Sequence, residues 1–91
     1  MYSKNTKIDV PVGLHARPAM YLIQRASNFK STIWLEYDQR RANAKSLLGI
    51  LSLGVTNGSD VRITAEGSDE IAAVSDLISL VESNFAENTF A

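Results

Sequence analysis

The sequence contains no cysteine, only two prolines and a single tryptophan among its 91 residues. Without cysteine, neither a disulfide framework nor a thiolate metal site can form, so a packed core has to stabilise the fold. No apolar run approaches the roughly 20 residues of a membrane-spanning helix, and the first residues, MYSKNTKID, lack the apolar stretch of a secretory signal. We therefore expect a cytoplasmic protein that does not insert into membranes.

The length and composition are those of one small globular domain. At 10.0 kDa the chain buries a single core and is too short for a catalytic domain joined to a cofactor domain. Its 45% hydrophobic and 21% charged residues are typical of soluble globular proteins, which argues against disorder. We predict one domain over residues 1–86, followed by a short polar tail over 87–91.

The charges are divided unequally between the two halves of the chain. Residues 1–45, called here the basic half, carry eight of the nine Lys and Arg side chains but three of the ten acidic ones. If the fold gathers these cations on one side, they form a pole that attracts an acidic partner or a phosphate. Alternatively, opposite charges interleave in space and only solvate the surface.

Four segments show the alternation, or the β-branched and aromatic enrichment, that is typical of strands. They cover residues 6–10, 31–37, 40–43 and 60–66. Asp38 and Gln39 predict a tight turn between the middle two strands. The turn type stays open, because Gln39 is a poorer residue than glycine at a position of positive φ.

Three segments show the spacing of amphipathic helices, over residues 16–27, 46–53 and 69–85. Asp69 stands where it can cap the last helix. The stripe of that helix that we expect to face the core consists of Ile71, Val74, Leu77, Ile78, Val81 and Phe85. The order is β-α-β-β-α-β-α, and strands with one polar face cannot bury both sides. We predict an α+β fold, an open-faced sandwich with a four-stranded antiparallel sheet and three helices on one face.

The densest group of chemically unusual residues is Gly13–Ala19, GLHARPA, which contains the only histidine, His15. Pro18 is tolerated in a first helical turn, so the helix begins near Ala16 and His15 falls at its N-cap. The free amides of that turn form an anion site, to which Arg17 adds a planar cationic donor. Uncharged imidazole is a nucleophile, and a phosphoryl group placed on it would meet these amides and Arg17.

This chemistry requires no bound cofactor. No Walker lysine loop or acidic cluster for Mg²⁺ accompanies the histidine, so we expect the phosphoryl donor to be another protein's activated phosphate. From the spacing alone, however, a lone histidine beside a turn is more often an ordinary cap or surface residue.

Two motifs resemble a known family. The segment GLHARPA is similar to the active-site signature of HPr, the histidine-containing phosphocarrier protein of the bacterial sugar phosphotransferase system. The segment NAKSLLGILSL at 43–53 is similar to the regulatory-serine signature of the same family. The resemblance extends over nearly the whole chain, to about Phe85.

The resemblance implies a carrier that accepts phosphate from enzyme I on Nδ1 of His15 and delivers it to IIA domains of sugar permeases. Arg17 would clamp the phosphate. It also implies that a kinase/phosphorylase modifies Ser46 and that the modified form binds a regulator of catabolite repression. Ser46 is also suited to be only the N-cap of the short helix.

An apolar patch beside the histidine would dock the partner proteins. Leu47 and Leu48 occupy consecutive helical positions, so one of them should face outward and join Met20 of the first helix. The alternative is that Leu47 belongs to the core and Met20 fills a gap. We expect a monomer, since one surface has to meet several partners.

Two departures from the family pattern and two other functions remain open. Val12 stands where relatives commonly carry a small polar residue, and Gln39 replaces a turn glycine.

A regulator of the same fold could act through Ser46 or a non-sugar relay, although a related regulatory group replaces the histidine with glutamine. An RNA-binding module would use exposed aromatics such as Trp34, but acidic Asp60 and Glu66 on the same face argue against nucleic acid.

Overall fold

The computed structural model describes residues 1–10 and 13–85. The predictions for Val12 and for the tail at 87–91 lie outside these residues. Seven elements follow one another in the predicted order: β1 (Tyr2–Lys7), α1 (Ala16–Ala26), β2 (Thr32–Tyr37), β3 (Arg40–Asn43), α2 (Leu47–Ser52), β4 (Asp60–Glu66) and α3 (Glu70–Glu82).

The four strands form one antiparallel sheet in the order β1-β4-β2-β3. The last long strand, β4, lies between β1 and β2, with Ile63 opposite Lys4 on one side and Leu35 on the other. Because side chains alternate across a strand, Ile63 and Leu35 share the face that the helices cover. The predicted open-faced sandwich is confirmed.

All three helices pack on that covered face and enclose the core. Leu22 of α1, Ile50 of α2 and Leu77 of α3 are buried together with Ile33 and Ile63 of the sheet. The opposite, open face carries polar side chains. On it, Arg41 stacks over the ring of half-buried Trp34 at 4.3 Å and pairs with Glu36.

The first strand differs from the prediction for residues 6–10, since β1 spans Tyr2–Lys7. The alternation seen in the sequence reports burial, and Ile8 is fully buried. However, β4 begins at Asp60, so the ladder ends at Lys7. The backbone of Ile8 bonds instead to Gly58 and Ser59 in the turn that precedes β4.

The β2–β3 hairpin is confirmed, and its turn has positive φ at both central residues, 54° at Asp38 and 63° at Gln39. This is the two-residue primed turn, whose twist matches that of the flanking strands. Gln39 therefore accepts a left-handed conformation that glycine would adopt with less strain.

Two expectations about α3 were wrong. Asp69 is the N-cap residue but makes no side-chain capping bond. Its carboxylate accepts instead from the backbone N–H groups of Lys30 and Ser31 and from the Ser31 hydroxyl, fastening α3 to the start of β2. Ile71 is 61% exposed because it lies in the first turn, outside the stripe that faces the sheet.

Candidate functional site

The candidate site lies at the start of α1, where the prediction of His15 as the N-cap residue is confirmed. His15 has an extended backbone, with φ −101° and ψ −168°, and its side chain makes no capping bond to its own helix. The side chain is exposed, whereas Leu14 immediately before it is buried. Burial of Leu14 thus anchors the backbone, and the imidazole of His15 faces solvent.

The two residues before His15, Gly13 and Leu14, pack against the segment that precedes β4. The backbone N–H of Leu14 donates to the Val55 carbonyl at 3.0 Å. Gly13 has φ +76°, and a Cβ atom there would stand 2.8 Å from the Thr56 Cα and closer still to the Val55 oxygen. Glycine is thus required twice at position 13, by the backbone conformation and by lack of space.

The first turn of α1 offers donors to an anion. The Ala19 N–H bonds back to the His15 carbonyl at 3.1 Å, and Pro18 has no N–H. In an α-helix, the amides of Ala16 and Arg17 then have no partner within the helix. Arg17 lies in the same turn as His15 and is exposed. Two amides and a guanidinium thus accompany the imidazole at the positive end of the helix.

Two large apolar side chains are exposed on neighbouring helices. Met20 of α1 is 49% exposed and Leu48 of α2 is 81% exposed, and the two helices pack against each other. Leu47 is half-buried and packs against the core, so Leu48 is the leucine that faces outward. A shallow groove on α1 is lined by Ala16, Arg17, Met20, Tyr21 and Gln24.

The basic half does not form a broad pole of free charge. Five of its eight cations are engaged within the molecule, either with carboxylates or with backbone carbonyls: Lys7, Arg25, Arg40, Arg41 and Lys45. Lys4, Arg17 and Lys30 are exposed and form no side-chain ion pair or hydrogen bond within residues 1–10 and 13–85. Arg17 is consequently the one unpaired cation that α1 contributes in this part of the chain.

Ser46 occupies the N-cap of α2, as predicted. Its hydroxyl oxygen accepts from the Gly49 backbone N–H at 3.1 Å, and its carbonyl accepts from the N–H of Ile50 at 3.0 Å. The residue is half-buried. Lys45, beside it, is turned away and donates to the carbonyls of Phe29 and Ser31.

The segment that supports the site from below could not be predicted from local sequence patterns. Val55 and Thr56 support Gly13 and Leu14 from more than 40 positions away in the chain, a pairing that no local pattern signals. The groove residues Tyr21 and Gln24 were also missed. Their spacing from Arg17 and Met20 places all four on one helix face, which is a usable signal.

The described residues contain neither a metal-binding cluster nor a membrane-spanning helix. Within 1–10 and 13–85, no three His, Asp or Glu side chains are grouped so that they could hold a metal ion. None of the helices in this part of the chain combines the length and apolar character that a membrane span requires.

Comparison with known proteins identifies the family. The model described as "PTS HPr component phosphorylation site" matches residues 2–83. The HPr-like protein Crh of Halalkalibacterium halodurans is 39% identical over 82 residues, covering 90% of this chain and 98% of that protein. The chain therefore belongs to the HPr family, which supports a phosphocarrier or HPr-like role.

Solved structures agree with this assignment. HPr-C-His from Thermoanaerobacter tengcongensis is 48% identical and superimposes with a TM-score of 0.91, covering 97% of this chain and 99% of that one. A dimer of HPr from the same organism, also 48% identical, gives a TM-score of 0.76 and covers 96% of this chain and 100% of that one. The expected monomer is thus not a general property of similar proteins.

Proposed function

We propose that this chain carries a phosphoryl group on His15, which it receives from enzyme I and passes to IIA domains of sugar permeases. The main supporting observation is the His15 side chain at the start of α1, which is exposed and makes no capping bond to its own helix. Arg17 lies in the same turn. Membership of the HPr family supports the assignment to a phosphotransferase system.

The transfer is a displacement at phosphorus. The lone pair of an imidazole nitrogen attacks the phosphorus atom, the new N–P bond forms, and the bond from phosphorus to the donor group breaks. The donor keeps the electron pair of the broken bond. The negative oxygens of the transferred group meet the Ala16 and Arg17 amides and the Arg17 guanidinium, so charge is stabilised where it arrives. Delivery to the acceptor protein reverses the same steps.

Partner proteins would dock on the apolar surface formed by Met20 and Leu48, with Leu47 supporting it from the core side. Met20 lies one turn after Arg17 on α1, and α2, which carries Leu48, packs against α1. A partner docked there would lie beside the start of α1. An exposed apolar surface of this kind is suited to short-lived contacts with several proteins.

Phosphorylation by enzyme I and phosphoenolpyruvate tests the proposal. The expected result is the gain of one phosphoryl group that is labile in acid and stable in alkali, absent from His15→Ala. Arg17→Gln should still fold but accept the group far more slowly, because it retains the nucleophile without the charge. A phosphate that survives in His15→Ala would contradict the proposal.

A second candidate function is regulation through Ser46, by a kinase/phosphorylase and a catabolite-repression regulator. The supporting observation is the half-buried N-cap hydroxyl, where added negative charge faces the start of α2. An HPr kinase should label the wild type and His15→Ala alike but leave Ser46→Ala unlabelled. Labelling of Ser46 without any labelling of His15 would favour regulation over transport.

The proposal extends to the location and the assembly of the protein. We propose a cytoplasmic monomer, because a carrier that meets several proteins at one surface needs that surface uncovered. Light scattering at micromolar concentration should give a mass near 10.0 kDa. A mass of twice that value would contradict the monomer.

A further inference from the structure

We propose that Arg40 is a positioning residue for His15. It holds in place the segment against which Gly13 and Leu14, the two residues before His15, pack. The inference builds on the proposed function, because it concerns how the candidate phosphoryl acceptor is held. Arg40 is the first residue of β3, far from His15 in the sequence, and neither of the two motifs includes it.

Arg40 grips the end of α2. Its Nη2 donates to the Leu53 carbonyl at 2.6 Å, and its Nη1 donates to the Ser52 carbonyl at 3.3 Å. The last carbonyls of a helix lack intrahelical partners and form its negative end, so a guanidinium satisfies them in hydrogen bonding and in charge. The two bonds fix the orientation of the peptide that joins Leu53 to Gly54.

That peptide leads into a glycine that stands between two anchored residues. Leu53 and Val55 are both buried, so their side chains anchor the segment in the core. Gly54 between them has φ +68°, and nothing lies within 4 Å of where its Cβ would stand. An unhindered glycine lets the adjoining peptides rotate. From the α2 side, two bonds oppose this rotation: the Gly54 N–H donates to the Leu51 carbonyl at 3.2 Å, and the Leu53 carbonyl accepts from Arg40 at 2.6 Å. The bond from Arg40 is the shorter of the two and is the one that a side-chain substitution removes.

The orientation of Val55 then reaches the site directly. Its carbonyl accepts from the Leu14 N–H at 3.0 Å. Gly13 packs so closely against Val55 and Thr56 that no space remains for a Cβ atom. Leu14 is buried and adjoins His15. Hence Arg40 orients the Leu53–Gly54 peptide, this peptide orients the Val55 carbonyl, and the carbonyl fixes the backbone from which the imidazole projects.

Amide hydrogen exchange and phosphotransfer kinetics on one set of variants test the proposal. Arg40→Ala should accelerate exchange of the Leu14 amide at least about fivefold, because the Val55 carbonyl is no longer held. It should lower kcat for phosphorylation by enzyme I by about tenfold with little change in KM, since misplacement of the nucleophile affects the reaction more than docking.

Arg41→Ala is the matched control. It removes the same charge from the next residue of the same strand, but Arg41 lies on the open face and contacts Glu36 and Trp34. Its Leu14 exchange and its kcat should equal those of the wild type. Arg40→Lys keeps one donor and should give intermediate values, which also covers the case in which Arg40→Ala does not fold.

Each outcome is decisive. Unchanged Leu14 exchange in folded Arg40→Ala or Arg40→Lys overturns the positioning role, as does an equal effect in Arg41→Ala. Faster Leu14 exchange specific to Arg40, in a protein whose wild type accepts no phosphoryl group, would support the positioning role and contradict the proposed function instead.

Discussion

The guanidinium of Arg25 donates two hydrogen bonds to the carboxylate of Asp76, each 2.8 Å long, and so joins α1 to α3. Their side chains are only 21% and 30% exposed, so the pair is partly shielded from water. Arg25 also lies in the last turn of α1, where a cation is favourable. Arg25 counts among the cations of the basic half, but its charge stabilises the packing of α1 against α3.

A double-mutant cycle on this pair should measure a coupling of about 1 kcal/mol in the free energy of unfolding, because bidentate geometry strengthens a partly buried ion pair. The variants are Arg25→Ala, Asp76→Ala and the double substitution, followed by urea unfolding. The exposed pair of Lys7 and Asp60 provides the control, with side chains 62% and 81% exposed. Its coupling should be close to zero, and equal couplings for the two pairs would refute this interpretation.

Substitution of Gly13 by alanine should destabilise the protein by about 2 kcal/mol and slow phosphorylation of His15, because the new Cβ adds a steric conflict with Val55 and Thr56 to the backbone strain. Gly58→Ala is the comparison. Gly58 has φ +85° but open space around its Cβ position, so only the strain applies, about 1 kcal/mol. Thermal unfolding and initial rates of phosphorylation measure both effects, and equal losses in the two variants would argue against the close packing of Gly13 on Val55.

Phosphotransfer from an acidic partner should depend only weakly on salt. Arg17 is the unpaired cation of α1 among the described residues, so little steering charge is present near the site. Between about 0.05 M and about 0.5 M salt, kcat/KM should fall by roughly threefold or less. Gln24→Lys adds a second cation to the same groove and should raise kcat/KM at low salt and steepen the dependence. A steep dependence in the wild type would mean that the paired cations also steer.

Acid should loosen the junction between α3 and β2. The Ser31 hydroxyl, followed by the Lys30 N–H, lowers the pKa of Asp69 from its ordinary value of 3.8. Its contribution to stability is therefore complete above that ordinary value and is lost as the pH falls through the lower, folded-state pKa. Asp69→Asn should reduce the loss of stability on acidification, measured as the urea midpoint against pH. Glu66→Gln, which removes an exposed carboxylate nearby in sequence, should leave that loss unchanged.

Local patterns were sufficient for the elements and for the motif at the start of α1. Helical spacing and Pro18 located α1 to within one residue, because both act within a few positions of the chain. The predictions that failed for Asp69 and for β1 depended on distant partners. Asp69 has the residue type of an N-cap, but Ser31 and Lys30 compete for its carboxylate. The end of β1 is set by where β4 begins, and the free charge of the basic half is set by Asp76, Glu36 and the end of α2.

The site could be predicted in the same way only in part. His15 and Arg17 stand two positions apart in one short motif, so their joint placement follows from the helix itself. The support behind them consists of backbone carbonyls: that of Val55 accepts from Leu14, and that of Leu53 accepts from Arg40. A carbonyl accepts from a donor irrespective of the side chain at its own position. Such contacts leave no signature in residue type, and only the three-dimensional arrangement reveals them.

The most direct test of the phosphocarrier assignment is to locate the phosphoryl group on the imidazole. We would label the protein with ¹⁵N, phosphorylate it with enzyme I and phosphoenolpyruvate, and record the ring nitrogen resonances of His15. One ring nitrogen should shift and couple to ³¹P, while the resonances of the Ser46 and Gly49 amides should stay unchanged. An unchanged imidazole with phosphate on Ser46, or no phosphorylation by an enzyme I that is active on another HPr, would contradict the assignment.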